Sequence, residues 1–187
     1  MGFFYLESAL FQRASNREFD RVRAAAARSQ AKSQSIPVRL ERDRITDRII
    51  PASLVPGEGL GRIQIPALHL SAIVLEGVGA ETLRRAVGHV PRSALLGQPG
   101  NTVLAGHRDT FFRSLRNIQP GDLITLQTAQ ASFDYRVQTT SIVDPDDVAV
   151  LDATASDTLT LVTCYPFYFI GPAPRRFIVR AERSSPR

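Results

Sequence analysis

At 187 residues, 43% of them apolar, with twelve glycines and twelve prolines, the chain suits one loop-rich β domain plus an appendage. Its single cysteine excludes an internal disulfide and a thiolate metal cluster. The formal charge of +5 invites a nucleic-acid role, yet the arginines are densest before residue 50 and fall in no recognisable binding motif, which excludes that class in favour of a basic membrane-proximal segment and a solvated surface.

Residues 1–30 are expected to form an N-terminal helix. From Phe3 to about Arg28, Leu6, Leu10, Phe11, Phe19 and Val22 recur at spacings of three and four, and Ala24-Ala25-Ala26-Ala27 adds helix propensity. Met1-Gly2-Phe3-Phe4-Tyr5-Leu6 reads as the stub of a longer apolar segment, although no run here reaches the roughly 20 apolar residues of a membrane span. Residues 31–60 read as a linker or wrapping arm, punctuated by Pro37, Pro51 and Pro56, with Ile49-Ile50 able to dock locally.

Residues 61–187 are expected to hold a mostly β domain. Strands are expected at Arg62–Ile65, Ser71–Leu75, Thr102–Ala105, Leu123–Leu126, Ser132–Val137, Thr158–Cys164 and Arg176–Ala181. A short helix covers Ala80–Val87 up to Gly88, and a helical turn from Thr110 to Ile118 points Phe111, Phe112 and Leu115 inward. Val143 to Asp157 reads as one acidic connection. Many short strands with few helices point to a closed barrel, which leaves no exposed edge.

Cys164 ends its strand where Thr158-Leu159-Thr160-Leu161-Val162-Thr163-Cys164 breaks into Tyr165-Pro166-Phe167. A structural thiol is expected within the apolar rhythm; one at a strand end is open to a reacting atom. His107 ends another strand, in Ala105-Gly106-His107-Arg108-Asp109-Thr110, and its unperturbed pKa near 6.5 suits it to give and take a proton at neutral pH. Arg175 and Arg176 open a third strand, and alternation lets only one of them face the thiol. Nucleophile, acid/base and a donor for a developing oxyanion are the parts of acyl transfer. His69 and His89 stand in loop-like contexts and are read as surface or satisfied loop histidines. Asp109 is read as a helix cap ahead of Phe111 rather than a third triad member. Asp144, Asp146, Asp147, Asp152 and Asp157 lack any EF-hand spacing and are read as a solvated loop, without calcium.

Thr160-Leu161-Val162-Thr163-Cys164 resembles the TLxTC signature of the sortase family, the cysteine transpeptidases that attach proteins to bacterial surfaces. Ala105-Gly106-His107 is similar to that family's histidine segment, and Arg176-Phe177-Ile178-Val179 to its arginine strand, in the family's order. Residues from about Gly61 to Ala181 share the likeness, and His107–Phe112 with Cys164–Phe167 look most like class D. The resemblance implies an eight-stranded β-barrel with catalytic Cys164, His107 and Arg176, the last favoured over Arg175 by the apolar run after it. It implies an LPxT-type sorting signal cleaved after Thr, with Val162, Thr163 and Tyr165 among its contacts and Phe167, Tyr168 and Phe169 on the loop beside it. It implies an amine acceptor at the cell surface, an N-terminal membrane anchor absent from this chain, and no metal or organic cofactor. A cysteine hydrolase on the same barrel and a non-catalytic surface module are the alternatives.

Overall fold

The computed structural model describes residues 2–34, 54–168 and 171–184, with side chains of the first segment described from 7 to 29. Ile49-Ile50 and Phe169 lie outside the described residues.

Eight strands form the domain: β1 (Gly59–Ile65), β2 (Leu70–Glu76), β3 (Val87–His89), β4 (Asn101–Ala105), β5 (Leu123–Gln127), β6 (Ser132–Val143), β7 (Thr158–Tyr165) and β8 (Arg175–Arg183). They close into one barrel in the order β1-β2-β3-β4-β7-β8-β6-β5, the architecture expected from the sequence. The β2–β3 and β4–β7 pairs are parallel and the others antiparallel.

Alternation fills the interior. Ile63 and Ile65 of β1, Leu104 of β4, Leu126 of β5, Leu159 and Leu161 of β7 and Val179 of β8 all point into one core. Full burial of such a side chain stabilises by about 1.5–3 kcal/mol. The seam is tight where β1 meets β5: a Cβ on Gly61 would lie 2.1 Å from the Gln127 carbonyl oxygen, so no larger residue fits there without moving a strand.

Three elements differ from expectation. Val87 is not the end of a helix: α2 (Ala80–Arg85) stops earlier, and Val87–His89 is the three-residue β3. The strand β6 runs on through a polar, exposed stretch to Val143, where β8 pairs with it. The turn after His107 is a 3-10 helix at Arg113–Asn117, with Phe112 and Leu115 buried and Phe111 packed on the core as expected.

The N-terminal helix α1 (Gly2–Gln34) lies against β2 and α2. Phe11 and Phe19 pack on Ile73, Leu75 and Ala86, whereas Leu10 and Val22 stay exposed. The Gln12 amide makes two bonds at once, donating from Nε2 to the Arg85 carbonyl (2.8 Å) and accepting from the Ile73 N–H (2.9 Å). Arg62 reaches back to the Asn16 carbonyl (3.1 Å) and the Asp20 carboxylate (2.8 Å), and lies 4.8 Å above the Phe19 ring. Among the described residues no helix is long and apolar enough to cross a membrane.

Candidate active site

Leu159, Leu161 and Thr163 face the core, so Thr158, Thr160, Val162 and Cys164 face outward. On β8 the register pairs Cys164 with Arg176 and Val162 with Ile178. On the other side β4 runs parallel to β7 with Ala105 beside Val162, and continuing that register brings His107 level with Cys164. The ends of β4, β7 and β8 thus bring positions 107, 164 and 176 into one row along the barrel. Arg175 pairs with Tyr165 instead, is exposed, and sits 3.6 Å from Asp144.

The His107 end of the row is fixed from below. Gly106 donates its N–H to the Val162 carbonyl (3.2 Å), and the buried Thr163 hydroxyl donates to the Gly106 carbonyl (2.7 Å). A Cβ on Gly106 would stand 2.8 Å from the Phe112 ring, which packs directly beneath. Beyond it the chain turns sharply, with Thr110 N–H (3.4 Å) and Phe112 N–H (3.0 Å) both donating to the His107 carbonyl. His107 is exposed and Cys164 half-buried as a free thiol. Asp109 makes no side-chain cap to the 3-10 helix, whose N-cap is Phe112, so the expected cap is absent. Nor, among the described residues, does Asp109 bond His107.

Arg176 is half-buried and folds over its own turn, donating from Nη1 to the carbonyls of Ala173 (3.2 Å) and Arg175 (3.1 Å). A guanidinium has five N–H donors. Among the described residues its Nε and Nη2 donors make no hydrogen bond.

The expected substrate contacts separate. Val162 is half-buried on the outer face beside Cys164, whereas Thr163 is 2% exposed and turned into the barrel. Tyr165 belongs to an aromatic cluster, 6.1 Å from Phe167 and 6.4 Å from Phe177 between ring centroids. Phe167 and Phe177 themselves pack on the core. Among the described residues of this loop Tyr168 projects furthest, 77% exposed, with the Arg116 guanidinium 5.4 Å from its ring centroid.

Several structural residues went unread in the sequence. Asn101, buried at the start of β4, donates to the carbonyls of Asp152 (2.9 Å) and Val150 (3.3 Å) and accepts from the Thr160 hydroxyl (2.7 Å). It ties the β6–β7 connection to the start of β4. Arg180 donates to the same Val150 carbonyl (3.1 Å). Arg108 donates to the Gly171 carbonyl (2.9 Å), joining the His107 turn to the β7–β8 loop. Only Arg108, beside the histidine, had a signal that could have found it.

His69 is exposed, as expected, in a left-handed conformation (φ 49°). His89 is no surface histidine: it is 1% exposed, with Nδ1 2.6 Å from Glu76 Oε2 and Nε2 near Ser93 Oγ (3.0 Å) and the Ala94 carbonyl (3.1 Å). These partners satisfy it within the wall of the barrel. Of the acidic set, Asp144 faces Arg175 and Asp157 pairs with Arg183 at 2.9 Å. Among the described residues no group of His, Cys, Asp or Glu is placed to hold a metal ion.

The Sortase domain family matches residues 63–184, more than half of the chain. The chain belongs to the sortase family. Sortase D of Bacillus subtilis is 36% identical over 128 residues, covering 68% of this chain and 65% of that protein, so the chain spans slightly less than two thirds of that relative. The solved structure of the sortase D5 transpeptidase of Clostridium perfringens shares 28% identity and superposes with a TM-score of 0.65, covering 71% of this chain and 82% of the other. Sortase C of Streptococcus pneumoniae, at 23% identity, shares the fold over 90% of this chain and 95% of its own (TM-score 0.69). Sortases are cysteine transpeptidases associated with the cell surface that act on proteins carrying sorting signals, and the class D likeness runs through two of these three.

Proposed function

We propose that the chain is a sortase-type cysteine transpeptidase, with Cys164 as nucleophile, His107 as acid and base, and Arg176 as oxyanion donor. The observation that supports it most is the strand register, with Cys164 beside Arg176 on one side and the β4 end that delivers His107 on the other.

Cys164 Sγ, as thiolate, attacks the carbonyl carbon of Thr in an LPxT-type sorting signal. Charge passes to the carbonyl oxygen, where the open N–H groups of Arg176 hold it; one such donor accounts for about a hundredfold to a thousandfold in turnover. The tetrahedral adduct collapses as the C–N bond breaks, and His107 gives its proton to the departing amine. The thioester then meets an amine of the cell surface, His107 takes the proton from that nitrogen, and the new amide leaves as Cys164 regains its electrons. The signal would lie along the outer face over Val162, between the β6–β7 connection and the β7–β8 loop. Tyr165 borders that loop, and Thr163 acts from inside the barrel as a positioning residue. The domain would work outside the cytoplasm, tethered to the membrane by a segment N-terminal to α1.

An LPxT-type peptide offered with and without glycinamide tests this. Wild type should accumulate a thioacyl adduct by intact mass and pass the acyl group to the amine, and Cys164→Ala should do neither. Turnover retained in Cys164→Ala would sink the assignment. Hydrolysis unaffected by saturating amine would replace transfer by the simple hydrolase.

A further inference from the structure

A recess opens beside the His107 turn. It encloses about 340 Å³ and is lined by His69, Ser71, Thr110, Arg113, Arg116 and Asn117, among others. No carboxylate is among the residues that line it, so two permanently charged guanidinium groups and an imidazole face the space without an acidic neighbour in its walls. The Thr110 hydroxyl has no hydrogen-bond partner among the described residues. Such walls suit an anion, since each guanidinium offers several donors in a plane that matches a carboxylate.

Its position ties the recess to the chemistry. Thr110 and Phe111 belong both to its wall and to the turn closed on the His107 carbonyl. Arg116 lies 5.4 Å from the Tyr168 ring, in the loop that leaves Cys164. The recess therefore borders both segments that supply the row, and the imidazole at the head of the turn is exposed. The imidazole is the group that must meet the incoming amine.

We propose that this recess holds the carboxylate of the acceptor, so that the preferred acceptor is an amino acid or peptide with an acid beyond its amine. The inference rests on the transpeptidase reading above. The acid is held between Arg113 and Arg116 while the amine reaches His107, which lowers the acceptor concentration needed without changing how the sorting signal binds. A hydrogen bond to a charged group is worth on the order of tenfold or more in affinity.

The test transfers one LPxT-type acyl group to β-alanine, γ-aminobutyrate and 6-aminohexanoate, each beside its amide. At one chain length or more, the acid should beat its amide by roughly tenfold in acceptor kcat/KM, through KM, and lose ground as salt is raised. In the Arg113→Gln, Arg116→Gln double variant the two forms should come within about twofold, the level of an exposed charge. Arg136→Gln, which removes a charge elsewhere, should keep the preference. Equal use of acid and amide at every length overturns the inference, as does a preference that survives the double variant or falls equally in Arg136→Gln. If no amine is accepted at all, the transpeptidase reading fails by itself. NMR titration with 6-aminohexanoate and its amide then decides the recess: shifts at Arg113 and Arg116 with the acid alone support it, and their absence ends it.

Discussion

Replacing Thr163 with valine keeps the shape of the side chain and removes one donor. The hydroxyl it removes is 2% exposed at the residue level and lies 2.7 Å from the Gly106 carbonyl oxygen, one residue before His107. A neutral hydrogen bond contributes about 1 kcal/mol, and a buried acceptor left unpaired costs about 1–3 kcal/mol. The unfolding free energy should fall by that larger amount, which for a domain of this size lowers the melting point by roughly 3–10 °C. The effect on turnover should be greater than stability alone requires, because the lost bond joins the strand of the thiol to the strand of the imidazole. A misplacement on the order of 1 Å can cost about a hundredfold. With an LPxT-type peptide, Thr163→Val should lose on the order of tenfold to a hundredfold in kcat with little change in KM. Thr163→Ser, which restores the hydroxyl, should recover most of it. The reasoning fails if valine turns over as fast as wild type, or if serine does no better than valine while both remain folded at the assay temperature.

Two further perturbations follow from the same geometry. Arg176→Lys should lose about a hundredfold in turnover, since an ammonium lacks the planar fork of donors, while Arg175→Lys, paired with Tyr165, should lose at most a few-fold; steady-state rates of both variants on one peptide decide it, and reversed losses would place Arg175 on the thiol's face. Burial raises the Tyr135 phenol above its ordinary range, against the pull of the Arg183 guanidinium, and Thr102 is its polar neighbour without the geometry of a full hydrogen bond. The folded state therefore holds that proton after the unfolded chain has released it, so wild type should lose stability as pH rises past about 10. Tyr135→Phe should lack that loss, and urea midpoints at neutral and alkaline pH should converge or cross; parallel curves would refute it.

Much of the site was legible because its signals are local. Cys164 and His107 each end an apolar run, and the arginine was narrowed to two neighbours by alternation, but choosing between their faces took the register with β7. Buried polar residues hid the rest. The partners of Asn101 and Thr163 are distant in sequence, Val150 and Asp152 for one and Gly106 for the other, so no local pattern marks either. His89 read as a loop residue because β3 is too short to show a period of two. The polar half of β6 showed no apolar alternation, since pairing with β8, rather than burial of its side chains, makes it a strand. On α1 the periodicity named the right helix but not its docking face: Phe11 and Phe19 were chosen over Leu10 and Val22 by the position of Ile73 and Leu75.

The Gln12 amide occupies the place on β2 where Ile73 has not yet met β3, whose parallel pairing begins at Val74. Together with the Glu7 contacts to Arg84 (2.9 Å) and Arg85 (3.7 Å), it makes a mechanical joint between α1 and the barrel. A load applied at the N-terminal end of α1 enters through β1, β2 and α2. From there it reaches β4, β7 and β8 only around the closed sheet, by way of β3 in one direction and of β5 and β6 in the other. Tension on the helix is thereby taken up first by one side of the barrel, while Cys164, His107 and Arg176 stand on another, several strands away by either route.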